Sequence, residues 1–197
     1  MPWNDNLRWS PANRYLASLS LISAIVLLAD QITKIFALKL LSPVTKTNVI
    51  GELVQFTLVF NEGGAFSTKL GSTYFYTFAS IVVMIIVVAV LYKDSGKNRV
   101  LDLALALVLG GALGNLTDRL RFGAVVDWID VDFPDFSLKP AKILFFDFPG
   151  YALNRWPVFN IADSAVSIGM VLIVVALILD SRKRKCELNH NQNPSTA

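Results

Sequence analysis

A chain of 197 residues that is 54% hydrophobic and 17% charged, with a mean hydropathy of +0.52, is too apolar for a soluble domain, in which about a quarter of the residues carry charge. A single Cys, Cys186, excludes an internal disulfide and a Cys-rich metal site. A single His, His190 in a polar C-terminal stretch, argues against a Ser-His-Asp triad, a Cys-His pair or an HExxH zinc site. The formal net charge is only +3, so the placement of the cations says more than their sum.

A membrane-spanning helix needs about 20 mostly apolar residues, and four runs meet that. The first, 15–38, begins YLASLSLISAIVLLA and continues through Asp30 and Lys34; no small-residue cleavage site follows its apolar core, so a retained helix is expected rather than a cleaved signal peptide. The second, 74–92, carries IVVMIIVVAVLY without a charge. The third, 100–119, and the fourth, 159–180, hold Asp102 and Asp163 near their starts. The expected fold class is mostly α and integral to the membrane: four transmembrane helices in one membrane-embedded domain over 1–185.

Lys and Arg cluster in three flanks: Arg8 and Arg14; Lys93, Lys97 and Arg99; Arg182 to Lys185. Four spans put all three on one side, the cytoplasm by the positive-inside rule, so both termini and a polar tail at 186–197 are expected there. The basic tail reads as a topology signal and not as a nucleic-acid site. Connections 42–73 and 120–158 then face outward. In the first, LVQFTLVF at 53–60 alternates Leu53, Gln55, Thr57 and Val59 with Val54, Phe56, Leu58 and Phe60, as a half-packed strand does, and runs into the turn signal Asn61-Glu62-Gly63-Gly64. A small extracytoplasmic β-sheet is expected there. The second connection, with Phe145, Phe146, Phe148, Tyr151 and Trp156, suits the headgroup interface.

Ionisable groups inside a span cost a few kcal/mol on insertion scales and need a reason. Asp102 and Asp180 are placed to reach water at the interface, and Asp30 and Lys34, four apart, are spaced either to pair or to support a site. At the outward end of the third run, Asn115, Asp118 and Arg119 share one helical face. They follow Gly110, Gly111, Ala112 and Gly114, which admit a close backbone. Asp127 lies in the apolar stretch AVVDW, and Asn160 and Asp163 stand at i and i+3. Two carboxylates brought together in a poorly hydrated place share a proton, one serving as base and the other as acid, which is the aspartic-protease arrangement. It requires no His, Cys, metal or cofactor. Asp163 is the first choice. Its partner is Asp127 or Asp118: the apolar setting favours Asp127, whereas Arg119 and Arg121 would hold Asp118 ionised. Three rivals remain: a buried hydrogen-bonded network, a channel or transporter subunit with polar residues at several depths, and a phosphotransferase with several cation-holding carboxylates per helix.

At these residues the chain resembles the lipoprotein signal peptidases (signal peptidase II) of bacteria. Asp30-Gln31-Ile32-Thr33-Lys34 is similar to the family's DQxxK segment, and Asn61 to Ser67 to its NxGxAF stretch. Gly111 to Arg119 resembles GxxGNxxDR and continues into Asp127, and Phe159-Asn160-Ile161-Ala162-Asp163-Ser164 resembles FNxADS. The resemblance implies that Asp127 and Asp163 are the catalytic aspartates. It further implies that Asn61, Gly111, Asn115, Arg119 and Asn160 line or brace the site, with Asp118, Asp30 and Lys34 in support. It implies a monomer in the bacterial inner membrane, among membrane lipids. The substrate would be a prolipoprotein whose Cys carries a diacylglyceryl group, cut before that Cys beneath an outward sheet and a loop or short helix. Two departures stand out. Asp127 and Asn160 lie 33 positions apart, more than in the typical member, with Asp130, Asp132, Asp135 and Asp147 between them read as solvated loop carboxylates. Gly64 stands where Ala or Val is common.

Overall fold

The computed structural model describes residues 10–63, 73–132, 136–139, 141–143, 146–148, 150–153 and 155–192. Arg8, Gly64 to Ser67, Asp135 and Phe145 therefore lie outside the described residues, as do the side chains of Phe146, Phe148 and Tyr151. Four helices dominate: α1 (Pro11–Leu40), α2 (Thr73–Asp94), α3 (Arg99–Phe122) and α4 (Ile161–Gln192). All four are long and apolar enough to cross a membrane, α4 over Ile161–Lys183, and the chain is a multi-pass membrane protein. Asn98 caps α3 by accepting the N–H groups of Val100 and Leu101 (3.1 and 3.2 Å), and Gly123, at φ +72°, closes its far end where a side chain would be strained.

The fold divides into two compact units. The first comprises Met1–Asp30, Phe78–Leu116 and Ile161–Ala197. Its interior gathers Leu19, Val87, Leu91, Leu105, Ala106 and Val108. Lipid tails are as apolar as Leu, so association between helices depends on close packing of small residues and on hydrogen bonds across them. Both are present: the Ser23 hydroxyl donates to the Ala106 carbonyl (2.8 Å), and a Cβ built on Gly111 would stand 2.5 Å from the Ala162 carbonyl oxygen. A backbone atom cannot swing aside, so Gly111→Ala is expected to cost about 1–3 kcal/mol, read as a lowered Tm in detergent micelles. Asp102 does not reach water as expected. It is 3% exposed and accepts the Tyr15 hydroxyl and the Gly96 N–H, each at 2.8 Å, because the turn between α2 and α3 folds back over it.

The second unit comprises Gln31–Thr77 and Thr117–Asn160. Its centre is an antiparallel sheet of β1 (Thr47–Ile50), β2 (Val54–Asn61) and β3 (Val125–Val131), in the order β1-β2-β3. The expected strand is present, but its strict alternation is not. The β2–β3 register shifts between Phe56 and Val59, so Gln55 and Leu58, three residues apart, are both buried. Beyond β3 the chain forms β4 (Phe136–Leu138), β5 (Ala141–Ile143), β6 (Phe146–Phe148) and β7 (Tyr151–Leu153). β5 pairs with β6 and β4 with β7, all antiparallel. The long second connection is thus a nested hairpin, extended rather than helical among the described residues, as its Phe, Ile and Tyr favour. The fourth expected span begins two residues before α4, because Phe159 is held by β3: it donates to the Ile129 carbonyl and accepts the Trp128 and Ile129 N–H groups (3.0, 3.1 and 2.8 Å).

Candidate functional site

In the second unit the polar residues converge on β3. Asp127 is 1% exposed, beside Val126 at 0%, and an amide donor meets each of its carboxylate oxygens. Asn61, at the end of β2, donates from Nδ2 to Oδ2 (3.0 Å). Asn160 donates from Nδ2 to Oδ1 (2.7 Å) and faces the Val126 carbonyl (3.3 Å). The register explains the first contact, since Val59 lies opposite Asp127 and Asn61 opposite Val125. The Phe159 bridge explains the second, because it lays the chain along β3 one residue before Asn160. Asn61 is itself oriented by the Gly63 N–H on its Oδ1 (2.9 Å).

Asp118 organises a second buried cluster. It pairs with Lys34 (2.7 Å), the two side chains 1% and 2% exposed. It also accepts Gln31 Nε2 (3.0 Å) and the Val126 N–H (3.1 Å). The last bond secures the strand one residue before Asp127. Arg119 donates from Nη2 to the Gly63 carbonyl (3.2 Å), on the turn that orients Asn61.

Asp130 is not a solvated loop carboxylate. It is 1% exposed and is held by the Thr57 hydroxyl (2.8 Å), the Arg155 guanidinium and Lys46 (3.6 Å). Burial pushes its carboxyl upward, but the Arg155 and Thr57 hydrogen bonds and the charges of Arg155 and Lys46 outweigh that and leave it below the usual carboxylate range. A folded value below the unfolded one adds stability that is complete above about pH 4 and fades as the pH falls through the folded value. Thermal unfolding of Asp130→Asn should accordingly be less pH-dependent below about pH 4 than that of the wild type.

In the first unit Asp163 lies in the first turn of α4 and accepts Asn115 Nδ2 on its Oδ1 (2.8 Å). Asp30, fully buried, accepts the Ala162 N–H on its Oδ1 (3.0 Å) and so caps the positive end of α4 from α1. Gly114 makes room for that carboxylate, since a Cβ there would stand 2.5 Å from Asp30 Oδ2. The proposed site residues therefore fall into small groups, buried or half-buried: Asn61, Asp127 and Asn160 by hydrogen bonds; Lys34 and Asp118 by an ion pair; Asn115 and Asp163 by a hydrogen bond; Asp30 and Gly111 around Ala162, the first by a hydrogen bond and the second by close packing. Spacing missed Gln31, Thr57 and Arg155. Gln31 sits inside the DQxxK segment, which was a signal for it. Nothing local marked the other two.

The family profile described as Signal peptidase (SPase) II matches residues 22–179. The chain is 35% identical to the lipoprotein signal peptidase of Staphylococcus carnosus over 87% of its own length and 97% of that protein. It is 39% identical to that of Polynucleobacter necessarius over 82% and 86%. A bacterial membrane enzyme solved by the in meso method at 2.3 Å superposes with a TM-score of 0.68 at 32% identity, over 84% of this chain and 90% of that one.

Proposed function

Because the chain belongs to the signal peptidase II family, membrane proteases that remove signal peptides from prolipoproteins, we propose that Asp127 and Asp163 are its catalytic pair and that it cuts before a diacylglyceryl-modified Cys. One carboxylate takes a proton from water as the water oxygen attacks the scissile carbonyl carbon. The other, protonated, gives its proton to the carbonyl oxygen. The tetrahedral intermediate then collapses as the amine of the lipidated Cys leaves with a proton. General acid–base transfer of this kind is worth about 10²–10⁴-fold. Asn61 and Asn160 orient Asp127, Asn115 orients Asp163, and the Lys34–Asp118 pair and Arg119 brace the strand and turn that carry them.

The observation that carries this reading is the grip on Asp127: a buried carboxylate with an amide on each oxygen, one from Asn160, which precedes Asp163 by three residues. The substrate's signal peptide is a membrane helix and its acyl chains lie in the outer leaflet. The reading therefore places the pair toward that leaflet of the bacterial inner membrane, with both termini cytoplasmic and a single chain sufficient.

The test is purified protein in micelles with one prolipoprotein in two forms. The diacylglyceryl-modified form should be cleaved before its Cys and the unmodified form left intact. Equal cleavage of both would overturn the substrate assignment.

A further inference from the structure

We propose that Arg155 is a positioning residue for this reaction: by clasping Asp130 and the turn between β1 and β2, it sets the path that seats the Asn160 amide on Asp127. The proposal rests on the catalytic reading of Asp127.

Every donor edge of the Arg155 guanidinium is engaged, and its partners among the described residues belong to the sheet or its immediate continuation. Nε binds Asp130 on β3. Nη1 meets Asp132 at 3.2 Å. Nη2 donates to the Glu52 carbonyl (3.0 Å) and to Gln55 Oε1 (3.1 Å). A planar fork satisfied on all sides has one orientation, which Lys with its point charge cannot reproduce. The partners are themselves held: Asp130 takes the Thr57 hydroxyl from β2, and Gln55 donates to Asn48 on β1 (2.8 Å). Arg155 thus holds β3 and β2 directly and reaches β1 through Gln55.

Its place in the chain gives this grip a consequence. Arg155 ends a connection that leaves β3 after Val131, and it returns to Asp130, 25 positions before it in the chain. Between Arg155 and Asn160, Phe159 makes strand-like bonds to β3. Two fixed points, the clasp and the bridge, define the line along which Asn160 arrives 2.7 Å from Asp127 Oδ1. With the clasp released, the bridge at Phe159 loses the fixed point that precedes it. A shift of about 1 Å at an orienting group costs up to about 10²-fold in rate.

Measured on the lipidated prolipoprotein, Arg155→Gln and Arg155→Lys should each lower kcat about tenfold with KM within about twofold, in protein that inserts and stays folded at the assay temperature. Arg155→Gln added to Asn160→Ala should lower kcat no further than Asn160→Ala alone. The clasp is overturned if Arg155→Gln keeps wild-type kcat while Asp127→Asn is inactive, if KM rises alone, or if the two losses multiply. Wild-type cleavage by Asp127→Asn would instead remove the catalytic reading, and the clasp with it.

Discussion

Asp127→Asn and Asp163→Asn are each expected to lower kcat on a lipidated prolipoprotein by about 10³-fold or more, and the double variant little further. Each exchange keeps the shape of the side chain and removes its ability to take or give a proton. A pair that transfers protons as one unit is lost with either member, so the effects do not multiply. The exchange at 127 also has a modest structural cost. Asn61 and Asn160 each present an N–H to a carboxylate oxygen, and the new amide offers one oxygen where there were two. An unmet donor of that kind costs about 1–3 kcal/mol, a fall of several degrees in Tm for a chain of this length. Gel-shift assays of cleavage beside thermal unfolding of the same preparations separate the two effects. Inactive protein that still unfolds cooperatively, with Tm lowered by no more than those several degrees, is the expected result, and cleavage at more than about a tenth of the wild-type rate by either variant excludes that residue from the pair.

Breaking the Lys34–Asp118 pair should give the largest loss of stability. Both side chains are almost wholly buried and 2.7 Å apart, and removing one partner of such a pair costs about 3–5 kcal/mol because the other charge is stranded. Asp118→Leu should be worse than Lys34→Met, since Asp118 also accepts Gln31 and the Val126 N–H. The double variant Lys34→Met/Asp118→Leu should lose less than the sum of the two. Thermal unfolding in micelles, with Tm lowered by roughly 10 °C for the single variants, checks this. Additive losses would show that the two charges do not depend on each other.

The parts of this fold that were legible beforehand follow from strong local periodicity. Each expected span except the fourth lies inside its helix, because about 20 apolar residues have one low-energy solution in a bilayer. The fourth began early because Phe159 reads as apolar and helical, yet its backbone bonds go to Ile129. The strand at β2 was visible in its Val, Phe and Leu content, but its bulge was not, since a shifted register leaves no mark in a pattern of eight residues. Long-range polar partners were the least legible. Asp130 looked like any loop carboxylate because its partners stand 25 and 73 positions away, at Arg155 and Thr57. Asp102 looked wet for the same reason, with Tyr15 87 positions off. The site residues themselves came from short blocks in a fixed order, where chemistry constrains residue type more tightly than packing does.

The cap that Asp30 lends to α4 bears on how the molecule is assembled. Most helices begin under a Ser, Thr, Asn or Asp of their own. Here the Ala162 N–H is met by a carboxylate 132 positions earlier in the chain. The first turn of α4 thus receives a finishing bond from α1, so the start of one helix is complete only when a segment far back in the sequence is packed against it.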